Sequence, residues 1–162
     1  MRRKVIEQNM KEKKYQFCTF SVAGHLFGVD IHDVREIKDE FSITPVYHAP
    51  KEIKGLANIR GQVYLALNLR VILQIREFDS QADTRLILFK PKIGQDMFGI
   101  LVDTHNGVID IEEKHIEYHQ YDQSMPSEMT MKRAISTGVC KLESGLLTIL
   151  NAANLLVSIQ RD

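Results

Sequence analysis

The sequence predicts a mainly β protein made of two related small barrels. Two observations carry that reading. From Tyr15 onward, apolar residues alternate in short runs broken by turn residues, and one pattern of landmarks occurs twice along the chain.

The elements follow in order. Cys18, Phe20 and Val22 share one face of a strand, Ala23-Gly24-His25 forms a turn, and Phe27, Val29 and Ile31 alternate again. Ile31, Val34 and Ile37 then follow at threes, the spacing of a short helical turn or an irregular edge. Phe41 to Val46 is extended and stops near Pro50. Ile53 to Ile59 leads into Arg60-Gly61, after which Val63, Leu65, Leu67 and Leu69 alternate. Glycine permits a tight reversal, so this is a hairpin with its tip at Arg60-Gly61. Leu69 to Ile75 is a short helical piece, and Arg76 to Asp83 is a polar loop. In the second half, Leu86 to Phe89 and Met97 to Val102 are strands around a turn at Pro91 to Asp96. Asp103 to Ile111 stays extended, and Ile116 to Lys132 reads as irregular, with Pro126 inside it. Ile135 to Leu142 and Leu146 to Leu150 form a hairpin around Glu143-Ser144-Gly145. Asn151 is placed to cap a closing helix whose apolar residues are Leu155, Leu156 and Ile159.

The repetition is specific in its spacing. Phe27-Gly28 matches Phe98-Gly99, and Val34 to Ile37 matches Val108 to Ile111. Gly55, Ile59, Leu67-Asn68 and Ile72-Leu73 match Gly138, Leu142, Leu150-Asn151 and Leu155-Leu156 at a constant offset. Short-stranded units of this size form small barrels, which close their sheet edges on themselves.

Bulk composition narrows the function classes. The chain has 162 residues, 44% of them hydrophobic, and 21 basic residues balance 21 acidic ones. That argues against a disordered chain and against a nucleic-acid binder. No apolar run approaches the roughly 20 residues needed to cross a bilayer, so no membrane insertion is expected. Residues 1–14, MRRKVIEQNMKEKK, read as a basic, flexible tail ahead of one domain spanning 15–162. Cys18 and Cys140 lie in strand-like segments and are expected to pack as small hydrophobes in a reducing cytosol.

A search for catalytic or metal chemistry assembles nothing. His115 and His119 are four apart around Glu117, but the metalloprotease pattern places its glutamate directly after the first histidine. There is no Cys-x-x-Cys, and the single glycines lack the spacing and lysine of a phosphate-cradling loop. Asp30, Glu36 and Asp103 are carboxylates that nothing in the sequence pairs. The expectation is a non-enzyme with no cofactor and no metal. Among exposed-looking features, Arg60 at a hairpin tip can fork to a partner's carboxylate or carbonyl, or sit in a structural pair with Glu36. Val34 and Ile37 are core residues or an apolar strip at a groove.

Taken in order, these segments resemble a known family. Phe27-Gly28-Val29-Asp30-Ile31 and Val34-Arg35-Glu36-Ile37 are similar to its glycine-bearing strand and its V-x-E-I. Ala49-Pro50, Ile53-Lys54-Gly55-Leu56, Asn58-Ile59-Arg60-Gly61 and Leu67-Asn68-Leu69-Arg70 resemble its central run, ending in N-L-R-G and D-L-R. Phe98 to Asp103 and Gly138 to Asn151 resemble its later motifs. The family is that of the CheW-like adaptors of bacterial chemotaxis, which share a fold with the regulatory domain of the histidine kinase CheA.

The resemblance implies two five-stranded, SH3-like β-barrel subdomains around a shared core, with short helices and a groove that accepts the cytoplasmic tip of a chemoreceptor. Carried over, the receptor-binding positions are Val34, Glu36, Ile37 and Arg60. The implied partners are the receptor tip and the CheA regulatory domain, the latter on another barrel surface. The implied location is the cytoplasm, at membrane receptor arrays. The chain departs from the pattern at Asn68 and Asn151, where the family has aspartate, and at Tyr47 and His48, where it has Pro and Asn. An amide keeps the acceptor oxygen that caps a helical turn, so both asparagines are expected to act as caps. A CheV-type adaptor would add a receiver domain after residue 162. The expectation is the single-domain form, with an auxiliary or non-flagellar scaffold as the alternative.

Overall fold

The computed structural model describes residues 13–75, 85–120 and 135–159. The first half holds β1 (Lys14–Val22), β2 (His25–Asp30), β3 (Val34–Lys38), β4 (Ile43–Thr44), β5 (Ile53–Ile59), β6 (Gln62–Asn68) and the short helix α1 (Leu69–Ile72). The second half holds β7 (Arg85–Phe89), β8 (Phe98–Val102), β9 (Thr104–Glu112), β10 (Glu117–Tyr118), β11 (Ser136–Leu142), β12 (Gly145–Leu150) and the helix α2 (Ala152–Val157). Turns of 3₁₀ type at Ile31–Asp33 and Glu113–His115 join β2 to β3 and β9 to β10.

These strands form two six-stranded sheets, in the orders β10-β11-β12-β2-β1-β9 and β4-β5-β6-β8-β7-β3. The orders match strand for strand, so the repeat seen in the sequence is real in space. The unit of repetition is not a half of the chain, however. In each sheet a meander from one half (β10-β11-β12 or β4-β5-β6) joins a hairpin from the other half (β2-β1 or β8-β7) through a parallel pair, β12·β2 or β6·β8. The third strand of each exchange, β9 or β3, sits at the far edge. The first sheet is barrel A and the second barrel B. Each has five strands of at least five residues and a two-residue edge strand, β10 or β4, which agrees with paired SH3-like barrels.

Curvature follows from chain reach. β9 and β10 occupy opposite edges of one sheet, yet only a short link separates Glu112 from Glu117. Five residues span at most about 17 Å, while the edges of a flat six-stranded sheet lie about 24 Å apart. The sheet must therefore curl. The same holds for barrel B, where Lys38 and Ile43 bound an equal link between β3 and β4.

Two matched glycines make the closure possible. A Cβ on Gly55 would fall 2.4 Å from the Thr44 carbonyl oxygen, and one on Gly138 would fall 2.6 Å from the Glu117 oxygen. Each glycine lets the edge strand cross its neighbour at a register shift, between Ile53 and Gly55 and between Ser136 and Gly138. The core has three parts. Barrel B is filled by Ile59, Tyr64, Leu86, Leu88 and Leu101, and barrel A by Phe17, Ile111, Ile116, Leu147 and Ile149. Between them, Phe20, Val29, Leu67, Phe89, Ile100 and Leu155 belong to one cluster shared by both sheets and both helices.

Several expectations change. The threes of Ile31, Val34 and Ile37, by contrast, are borne out as a short helical turn leading into an irregular edge strand. A 3₁₀ turn is followed by a strand with a register shift between Val34 and Glu36, and the extra residue returns Ile37 to the core side where Val34 lies. The matched pair Val108 and Ile111 lacks this device: the irregularity of β9 falls earlier, opposite Thr19 and Phe20, so Val108 is exposed and Ile111 buried. The stretch beginning at Ile116 contains β10 and is not wholly irregular. Phe41 to Val46 contains only the two-residue β4. Asn151 caps α2, with the Ala153 N–H donating to its Oδ1 at 3.0 Å. Asn68, expected to do the same, makes no side-chain cap bond. The expected tail lies largely outside the described residues, although Lys14 opens β1. The loop at 76–83 and the region of Pro126 also lie outside them.

Candidate functional site: the clasp between strand β3 and the β5–β6 hairpin

Arg60 and Gly61 both have positive φ, 51° and 82°, the backbone of the tight two-residue turn that suits twisted strands. The Asn58 Oδ1 accepts from the Gly61 N–H at 3.0 Å and holds the turn. Left-handed backbone is unfavourable for an arginine by roughly 1–2 kcal/mol, so the turn itself would favour glycine or asparagine at this position.

Barrel closure brings this tip to β3. The Arg60 guanidinium forks onto Glu36, with Nη1 donating to Oε1 at 3.2 Å and Nη2 donating to Oε2. Lys38 Nζ is 3.8 Å from the same carboxylate. The Arg60 side chain is 63% exposed and that of Glu36 25%. The hydrogen bond and charge of Arg60 hold the Glu36 carboxyl below the usual carboxylate range, and Glu36 in turn raises Arg60. Beside this pair, Arg35 Nη1 donates to Gln62 Oε1 at 3.0 Å and to the hydroxyl of buried Tyr64 at 2.9 Å. Two adjacent β3 residues thus grip the hairpin through separate polar contacts.

The four residues singled out in the sequence divide accordingly. Glu36 and Arg60 meet directly. Val34 is only 9% exposed and belongs to the shared core, and Ile37 packs half-buried against the same cluster. Val34 therefore packs mainly into the core, two residues before Glu36 on β3. The Arg60–Glu36 pair exists, and its exposure leaves the guanidinium accessible to a partner.

Sequence reasoning missed two features. The Arg35 bridge has no signal in spacing, because Arg35 and Tyr64 meet only when barrel B closes. The second is a part-buried ion pair between the barrels: Arg70 Nη2 donates to Asp103 at 2.7 and 2.8 Å, and Asp103 Oδ2 accepts from the Ala23 N–H at 2.8 Å. Arg70 is 6% exposed, and the pair ties α1, the β8–β9 junction and the β1–β2 turn together. A charged residue at the end of each of two apolar strand motifs, one arginine and one aspartate, was the available hint.

The carboxylates considered for acid–base chemistry are all engaged: Asp30 with His32, Glu36 with Arg60, and Asp103 with Arg70. His115 ends a 3₁₀ turn and His119 follows β10, so they do not share a helix face; His119 Nε2 lies 2.9 Å from Ser136 Oγ. Among the described residues no cluster of three or more His, Cys, Asp or Glu could hold a metal ion, and no helix is long and apolar enough to cross a membrane. Cys18 and Cys140 are buried free thiols, and burial pushes Cys18 up to about 11.

Known proteins share both sequence and architecture with this chain. It is 26% identical over 143 residues to a chemotaxis protein CheW of Klebsiella aerogenes, covering 88% of this chain and 82% of that protein. It is 26% identical over 147 residues to a chemotaxis protein CheW of Thermotoga maritima, covering 91% of each. Among solved structures, the scaffolding protein TtCheW of Thermoanaerobacter tengcongensis superposes with a TM-score of 0.72 at 28% identity, over 88% of this chain and 92% of that one. The model of the CheW-like domain matches residues 16–160, and with that match over nearly its whole length the chain belongs to the CheW-like domain family.

Proposed function

We propose that this chain is a non-enzymatic scaffold of a chemotaxis system, coupling chemoreceptors to the histidine kinase CheA. In this reading Val34, Glu36, Ile37 and Arg60 form the receptor side, and a different barrel surface meets the CheA regulatory domain. The protein works in the cytoplasm and is recruited to membrane receptor arrays. The observation that carries the receptor side is the exposed Arg60 guanidinium, held in a fork by Glu36 on a turn whose backbone does not favour arginine. Ordered, planar and solvent-facing, it is ready to meet a partner's carboxylate or carbonyl at little entropic cost. A second reading, an auxiliary scaffold of the same class with a different partner set, is favoured by Tyr47. This departure from the family pattern is 92% exposed, and exposed tyrosines are common anchors at interfaces.

Arg60→Glu should weaken binding of a receptor-tip fragment by at least about tenfold, a loss of one decade in affinity. Binding of the CheA regulatory domain should persist, and the melting temperature should move by only a few degrees. Calorimetric titration of each partner beside a thermal melt decides the matter. A mutant that melts far earlier and loses both partners together would make Arg60 a structural residue. Val34→Ala should also weaken receptor binding, with much of its effect seen as lost stability.

A further inference from the structure

Barrel A has an open pocket of about 300 Å³ that shares no residue with the clasp on barrel B. Its walls include Phe17, Ile116 and Ile149, with the rings of Tyr15 and Tyr118 also lining it. Two carboxylates line it as well: Asp30 at the end of β2, and Asp33 in the 3₁₀ turn that follows. Asp30 accepts from the His32 N–H at 2.9 Å and lies 2.8 Å from its ring Nδ1. The Asp33 carboxylate has no hydrogen bond or ion pair among the described residues, and its residue is half-buried. Among the described residues, no lysine or arginine lines the pocket.

Asp33 also lines an adjoining cavity with Lys90 and Lys92, but neither forms an ion pair with it, so its carboxylate favours a cationic group in the pocket over an anionic one. Aromatic faces favour the same choice, because their quadrupole attracts cations. The protein's own chain shows this attraction, with the Lys13 ammonium 5.2 Å from the centre of the Tyr15 ring. Lysine and arginine match both demands, since each carries an aliphatic stem beneath its charge. We propose that this pocket receives a basic side chain of a partner protein, its stem on Phe17, Ile116 and Ile149 and its charge on Asp33 and Asp30.

The test uses the full ¹⁵N-labelled chain and three capped tripeptides, Gly-Lys-Gly, Gly-Arg-Gly and Gly-Gln-Gly. Each basic peptide should shift the amide resonances of Thr137, Leu150 and Asn151 in a saturable way, and the glutamine peptide should bind at least about fivefold more weakly. Asp33→Asn should weaken the basic peptides by about fivefold or more without changing the melting temperature. Asp30→Asn, which keeps an oxygen to accept from the His32 N–H, is the second variant if Asp33→Asn unfolds. The proposal fails if no saturable shift occurs at these amides, if the glutamine peptide binds equally well, or if a folded variant binds the basic peptides as tightly as the parent.

Discussion

Barrels A and B have the same strand order and the same closing device, yet they treat their polar groups differently. In barrel B the interior position on the hairpin strand is Tyr64, whose hydroxyl is taken by Arg35, and the hairpin tip is latched by Arg60 and Glu36. In barrel A the position at the same offset is Leu147, fully buried, and a pocket with carboxylates at its edge lies open. One duplicated scaffold thus offers an exposed cation on one side and an acidic pocket on the other. The backbone plan is shared because glycine-permitted crossings are hard to replace, whereas side chains at barrel ends can vary without disturbing the ladders.

The glycines test the shared part and carry the largest expected effects. Gly55→Ala and Gly138→Ala each drive a methyl into a backbone carbonyl, and each should destabilise the protein by about 3 kcal/mol in denaturant unfolding. Gly28→Ala would bring a methyl to 3.3 Å from the Phe17 Cβ, tight but short of the overlap at Gly55 and Gly138, and should cost about 1 kcal/mol. If only one of the two matched substitutions is severe, the barrels do not close by the same device.

The joint between the barrels is tested next. Arg70→Leu leaves the Asp103 carboxylate, whose side chain is 24% exposed, without its guanidinium, and should cost about 2 kcal/mol. The Arg70→Leu, Asp103→Leu double variant should recover part of that loss. A double variant as unstable as the sum of the two single ones would show that the residues act independently.

The matched asparagines sharpen the comparison at smaller magnitude. Asn151→Ala removes a formed cap and should cost about 1 kcal/mol. Asn68→Ala removes none and should stay within about 0.5 kcal/mol. Equal losses in thermal melts would contradict the asymmetry.

The smallest effect is the acid dependence of the barrel B latch. Glu36 is held below the ordinary glutamate value near about 4.3. Its contribution to stability is therefore complete above that value and disappears as pH falls through the lower folded-state value. The stability difference between the parent and Glu36→Gln should be constant from about pH 8 to pH 5 and should narrow below about pH 4. A gap that closed already near neutrality would assign the effect to a histidine.

By itself the sequence determined the long strands, the hairpin turns at Ala23-Gly24, Arg60-Gly61 and Glu143-Ser144, and the repeat. Their signals are local: period-two apolar alternation, glycine at a reversal, and a constant offset between landmarks such as Gly55 and Gly138. It also singled out Arg60 and offered Glu36 as its partner, since motif and hairpin-tip position coincide there. Tertiary structure alone decided that each barrel is assembled from both halves of the chain, because pairing between distant strands leaves no local mark. It alone decided that Val34 and Ile37 face the same core, because the register shift that aligns them depends on the partner strand β7. It separated Asn68 from Asn151, and it created the Arg35–Tyr64 and Arg70–Asp103 contacts. Such bonds join residues 29 and 33 positions apart, and only the closed barrels and their shared core bring them within reach.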